Sequence, residues 1–155
     1  MTRHFADIAE FCASVGEDLG TGDWFEITQD RIDAFAETTE DRQWIHVDRE
    51  RAEAGPYGTP IAHGYLTLSL LPMLGRGIFT VGGVRMSVNY GLNRVRFPQA
   101  VAVGSRIRAH AKLISVAPGT QAVIGYTVEI AGQKKPACVA ESVRLLVPNR
   151  EQELS

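Results

Sequence analysis

The chain has 155 residues, 45% hydrophobic and 22% charged, with 16 Lys and Arg against 18 Asp and Glu for a net charge of −2. That length suits one domain with a single core, burying roughly 68–70% of the surface of the unfolded chain. The near-neutral balance excludes the basic field of a nucleic-acid binder, and no apolar run reaches the ~20 residues of a membrane span.

Met1-Thr2-Arg3-His4 leads into an amphipathic stretch with no apolar signal core, so residues 1–155 read as a single cytoplasmic domain. Residues 5–15 place Phe5, Ile8, Ala9, Phe11, Cys12 and Val15 at helical spacing, ended by Gly16. Residues 24–28 predict a short strand. Thr28 then caps a helix with Asp30 in its first turn and Ile32, Phe35 and Ala36 as its buried stripe. That helix ends near Thr38-Thr39, which leaves 41–46 on a loop. Asp48 caps a short helix over 49–54, and the Gly- and Pro-rich 55–60 is a turn-rich crossing.

Residues 63–74 are apolar on nearly every face, through Tyr65, Leu66, Leu68, Leu70, Leu71, Met73 and Leu74. They predict a long helix buried all round, with Pro72 in its last turn. From Val84 the texture turns to strands: 85–90, 94–97, 105–116, 121–131 and 136–147, punctuated by Gly91, Pro98, Gly104, Pro118-Gly119 and Gly132. Residues 149–155 are polar enough to fray. Long neighbouring strands, short turns and one buried helix give an α+β fold in which an antiparallel sheet wraps a long central helix. Cys12 and Cys138 lack metal-ligand spacing and read as buried thiols of a reducing compartment; no metal site is expected.

Chemistry concentrates in 35–46, where Asp41 and His46 can converge on one water from a single short turn. A carboxylate beside an imidazole, whose ordinary pKa is about 6.5, is the minimum equipment for general acid–base work near neutral pH. Ala62-His63-Gly64 opens the apolar helix, where free backbone N–H groups can face developing negative charge. The bare spacing also fits a solvated turn aspartate beside a satisfied core histidine; the ordered helix, cap and helix start around the pair favour the site.

The Asp41–His46 segment, the His63-Gly64 helix start and the Asn93-Arg94-Val95-Arg96-Phe97-Pro98 strand end resemble the MaoC-like (R)-specific enoyl-CoA hydratases, which have the hot-dog fold. The likeness runs from about Trp24 to Val147. In the family motif Gly-Asp-x-Asn-Pro-aliphatic-His, Asp41, Ile45 and His46 fall on the Asp, aliphatic and His positions, while Glu40, Gln43 and Trp44 replace Gly, Asn and Pro. Glu40 implies an ordinary backbone conformation where the family has a freely turning glycine.

The resemblance implies reversible syn hydration of a trans-2-enoyl thioester to an (R)-3-hydroxyacyl thioester. Asp41 and His46 would deprotonate one water and return its proton to Cα, with the Gly64 N–H on the substrate carbonyl. It implies a homodimer whose two sheets join edge to edge, coenzyme A or an acyl carrier as the handle of the substrate, and no cofactor. His63 reads as a capping or positioning group, with a further acid–base group as the alternative; with Gln43, Arg94 and Arg96 it is a candidate for substrate contact. Arg94 and Arg96, like Arg106, Arg108 and His110, share a strand face that is either a solvated surface or a cationic patch for the phosphates of the coenzyme. Two other readings remain open: a non-catalytic acyl-thioester binder, and a hot-dog thioesterase, for which no carboxylate stands on the central helix.

Overall fold

Residues 1–117 and 120–150 are described by the structure, a computed structural model; the Pro118-Gly119 turn and residues 151–155 of the expected tail lie outside them. In chain order the elements are β1 (Arg3–Phe5), α1 (Ile8–Cys12), β2 (Asp18–Thr21), β3 (Phe25–Glu26), α2 (Gln29–Thr39), α3 (Trp44–Val47) and α4 (Arg49–Glu53). Then follow α5 (Gly64–Ser69), α6 (Leu71–Arg76), β4 (Phe79–Val81), β5 (Val84–Arg96), β6 (Arg106–Ala117), β7 (Gln121–Ile130) and β8 (Cys138–Pro148).

β7 alternates half-exposed and buried residues along its whole length, the signature of a strand with one face on a core. It pairs antiparallel with β6 on one side and β8 on the other, in a sheet ordered β2-β6-β7-β8-β5 with β3 also on β6. Against the inner face of that sheet, lined by Ile107, Leu113, Ile124, Tyr126 and Val128, lie Leu66, Leu70, Leu71 and Leu74 of α5 and α6. Each such side chain, fully buried, contributes about 1.5–3 kcal/mol. This is the α+β layer with a wrapped helical centre that the strand pattern predicts.

Details depart from the sequence reading. The central helix is two short helices meeting at Leu70, and Pro72 stands in the first turn of α6 rather than in a last turn; its missing N–H has no partner to lose there. Tyr65 is 69% exposed, so α5 is not buried all round. Phe5 is not helical: β1 pairs in parallel with β4, a contact 76 residues away between His4 and Thr80. β5 runs unbroken through Gly91, which lies at a register shift against β8 rather than at a turn. Cys12 is exposed, not buried; Cys138 is buried, and desolvation pushes its thiol up to about 11. Asn149 is not frayed, because its N–H donates to the Gly83 carbonyl at 2.9 Å.

Candidate active site

α2 places the first carboxylate. Its cap is the expected one, Thr28 Oγ1 accepting from the Arg31 N–H at 3.2 Å. It ends on Glu40 at φ 61°, ψ 19°, the left-handed region, so the ordinary conformation expected there is wrong. The turn that a glycine would supply freely is made by a glutamate held in a conformation costing about 1–2 kcal/mol. Arg42 then grips Glu37 through both carboxylate oxygens, at 2.8 and 3.0 Å, and pins the segment back against α2. That hydrogen-bonded guanidinium holds the Glu37 carboxyl below the usual range.

His46 lies not on a loop but in the single turn of α3, and it is 6% exposed. Gln29 of α2 donates to its main-chain oxygen at 2.8 Å, tying α3 to α2. Trp44, in place of the family's proline, is clasped between the Arg51 guanidinium, 4.5 Å from its ring, and the tight Gly55 turn. Packing thus supplies the rigidity that a fixed φ would have given.

The His46 Nδ1–H donates to the Ile61 carbonyl at 2.7 Å. A carbonyl only accepts, so Nδ1 carries the hydrogen and Nε2 keeps its lone pair. Burial pulls the His46 pKa below its ordinary value, and the charge of neighbouring His63 pushes the same way; the Ile61 bond and the Asp41 carboxylate oppose them. The ring is therefore neutral near pH 7, with one basic nitrogen available.

His63, 3% exposed, donates from Nε2 to the Asp41 main-chain oxygen at 2.9 Å and stacks on His46 with centroids 3.7 Å apart and planes at 21°. It makes no side-chain cap to α5, which removes the capping role. One ligand atom each of Asp41, His46 and His63 lies within 4.8 Å of the others. Two imidazoles and a carboxylate are metal-ligand types, but rings stacked nearly parallel send their lone pairs along separate planes instead of toward one point. The arrangement suits proton transfer better than coordination.

A cleft of about 390 Å³ opens beside this cluster, and its walls include His46, Gly64, Tyr57, Thr67, Phe97 and Gln99. Gly64 is the first residue of α5, so its N–H has no intrahelical partner. With only six residues in α5, that donor acts as one N–H and not as the end of a strong dipole. The Phe97 ring lies so close that a Cβ at Gly64 would meet it at 2.9 Å. Asp41 itself is exposed and meets the His46 ring beside the cleft.

The remaining candidates lie apart. Gln43 is exposed and makes no side-chain cap to α3. Arg94 and Arg96 are exposed on β5, Arg94 opposite Glu141 and Arg96 bonded to its own Val95 carbonyl at 2.7 Å. The second cationic group is committed internally: Arg108 pairs with Glu129 at 2.7 Å, His110 with Asp18 at 3.4 Å, and Arg106 and Arg108 cover Trp24. Residue types gave no warning of the Ile61 carbonyl that sets the His46 tautomer, nor of Thr67 in the cleft wall. The Phe97-Pro98 strand end was the one sequence signal near the Phe97 contact.

Residues 10–133 match the family model of the MaoC like domain. The chain is 54% identical over 145 residues to 3-hydroxyacyl-thioester dehydratase Z of Mycobacterium tuberculosis, a match covering 91% of this chain and 96% of that protein. It is 38% identical to nodulation protein N of Rhizobium leguminosarum bv. viciae, covering 92% of each. Among solved structures, it superposes on the R-hydratase PhaJ1 of Pseudomonas aeruginosa with a TM-score of 0.73 at 19% identity, over 87% of this chain and 83% of that one. The (R)-hydratase from A. caviae gives a TM-score of 0.71 at 25% identity, over 85% and 96%. Both are relatives in fold with hydratase names.

Proposed function

Taking as premise that the chain belongs to the MaoC-like dehydratase family, we propose that it is a hydro-lyase interconverting trans-2-enoyl and (R)-3-hydroxyacyl thioesters, with Asp41 and His46 as its acid–base pair. The observation that carries this reading is the cluster itself: a carboxylate and a neutral imidazole within 4.8 Å, beside a cleft that also exposes Gly64. In the hydration direction, water sits between Asp41 and the His46 Nε2. As its oxygen bonds to Cβ, one proton passes to the pair, and the pair delivers a proton to Cα on the same face. Electron density moving onto the thioester oxygen meets the Gly64 N–H, a donor worth roughly 2.7–4 kcal/mol when it faces developing charge. Dehydration runs the same steps backward and releases the β-hydroxyl as water. The scheme asks for no cofactor.

Coenzyme A or an acyl-carrier arm is the handle of the substrate in this reading, with Arg94, Arg96, Gln43 and His63 as candidate contacts along its path. We assign the working unit as a homodimer in the cytoplasm. Among the described residues no helix is long and apolar enough to cross a membrane. The test is crotonyl-CoA turnover followed by loss of the enoyl absorbance. Asp41→Asn and His46→Gln should each lower kcat/KM at least about 10²-fold in a folded protein. Turnover at background level in the wild type, unchanged in Asp41→Asn, would leave a thioester binder, and free-thiol release without hydration would make the protein a thioesterase.

A further inference from the structure

The mechanism above uses the Nε2 of His46 and the carboxylate of Asp41, yet a second imidazole is buried against both. His63 offers one N–H to the Asp41 main-chain oxygen at 2.9 Å, and its other nitrogen, Nδ1, is buried with no hydrogen-bond partner among the described residues. Buried polar atoms without partners are uncommon and call for a reason. The reason here is the ring's place: it lies nearly flat on His46, 3.7 Å away, with the Phe35 ring tilted against it at 4.9 Å, while its edge reaches the turn that carries Asp41.

We propose that His63 is the positioning residue of the acid–base pair, an imidazole whose Nε2–H fixes the Asp41 turn through its carbonyl and whose face forms the floor on which the His46 ring rests. The inference rests on the reading of Asp41 and His46 as that pair. Its physical content is one hydrogen bond to the Asp41 turn and one ring stack on His46. A positive charge on either ring opposes a positive charge on the other 3.7 Å away, and His63 accordingly acts to lower the His46 pKa. The titratable groups facing His46 are Asp41, from the turn after α2, and His63, from the start of α5; Gln29 and Phe35 of α2 are uncharged.

Two variants separate the roles. His63→Phe keeps a flat ring under His46 and removes the bond to Asp41; it should lower kcat for crotonyl-CoA about 10²-fold with KM changed less than about threefold, the scale of one lost buried hydrogen bond. His63→Gln, whose amide can reach the same carbonyl, should recover at least about tenfold of that loss. Nitrogen-15 spectra of the wild-type histidines give a readout independent of turnover. The expected result is His63 with its hydrogen on Nε2, and a His46 titration that moves toward higher pH in His63→Gln, where the smaller side chain leaves the His46 ring less buried. A wild-type His63 carrying its proton on Nδ1, or both variants losing activity equally with the His46 titration unmoved, would overturn the proposal. Absence of wild-type turnover would instead sink the acid–base reading, and the spectra would still decide whether His63 sets the state of His46.

Discussion

Glu40 and His46 each hold a state that the unfolded chain would not choose, and both departures serve the same few ångströms of space. Glu40 sits at φ 61° so that the chain can reverse after α2 and bring Asp41 to the His46 ring. A non-glycine residue there costs about 1–2 kcal/mol, and a glycine would cost about 0.5–1 kcal/mol in chain entropy instead. Glu40→Gly is therefore expected to stabilise the fold by about 0.5–1 kcal/mol, read as a higher urea midpoint at unchanged slope; a destabilised variant would show that Glu40 is not strained. His46 gives a second expectation. Its folded pKa lies below the unfolded value of about 6.5, so on acidification the unfolded ring binds a proton first. Its contribution is complete above about pH 7 and is lost as pH falls through 6.5 toward the folded value. Urea midpoints measured from pH 7.5 to 5 should drop less steeply in His46→Gln than in the wild type, and parallel curves would mean the ring is not held neutral by burial.

The elements show which features a sequence can display and which it cannot. Strands β6, β7 and β8 are legible because each is a run of ten or more residues rich in apolar and β-branched side chains, alternating along its whole length in β7, and the caps Thr28 and Asp48 are legible because their side chains bond to N–H groups only three residues away. Gly91 misled because a bulge and a turn ask for the same residue, and only the partner strand decides between them. Phe5 misled because its strand partner lies far along the chain, in β4. At the site, Asp41 and His46 were legible as types at a spacing, whereas the bonds that orient them run to the main-chain oxygens of Ile61 and Asp41, which every residue possesses. The fit between α5 and the end of β5 is likewise invisible until Phe97 is seen on Gly64. Gly64→Ala would push a Cβ to within 2.9 Å of that ring and displace the N–H. A fall in kcat/KM of about 10–100-fold is expected, less than the full loss of an oxyanion donor. Phe97→Ala should restore much of it in the double variant, since contacting residues are not additive; strictly additive losses would mean that the two do not compete for the same space.

At the scale of the whole molecule, the sheet is unfinished on one side. β5 is its last strand, and every residue from Arg85 to Arg94 is exposed, although Met86, Val88, Tyr90 and Leu92 are all large and apolar. Those four are between 39% and 64% exposed in the single chain. A second cavity, of about 220 Å³, lies against the same strand, between Leu92 and Leu68 of α5. A long strand with an open hydrogen-bonding edge and apolar side chains is a liability that chains end by pairing, covering or charging the edge. The only charges along β5 are Arg85, Arg94 and Arg96, near its two ends, so the apolar middle is left for a partner. A second copy meets the requirement by symmetry, because a two-fold axis sets the same strand against itself in antiparallel register. Val88→Lys combined with Leu92→Lys places up to four like charges at the centre of such a contact. Sedimentation equilibrium should then read the mass of one chain where the wild type reads two, with the far-ultraviolet circular dichroism of the fold retained. Turnover belongs to the same experiment: because β5 ends at Arg96, next to the Phe97 that lies on Gly64, loss of the partner should also lower kcat/KM. A wild type that sediments as one chain, or a double lysine variant that still sediments as two, would place the covering of β5 elsewhere.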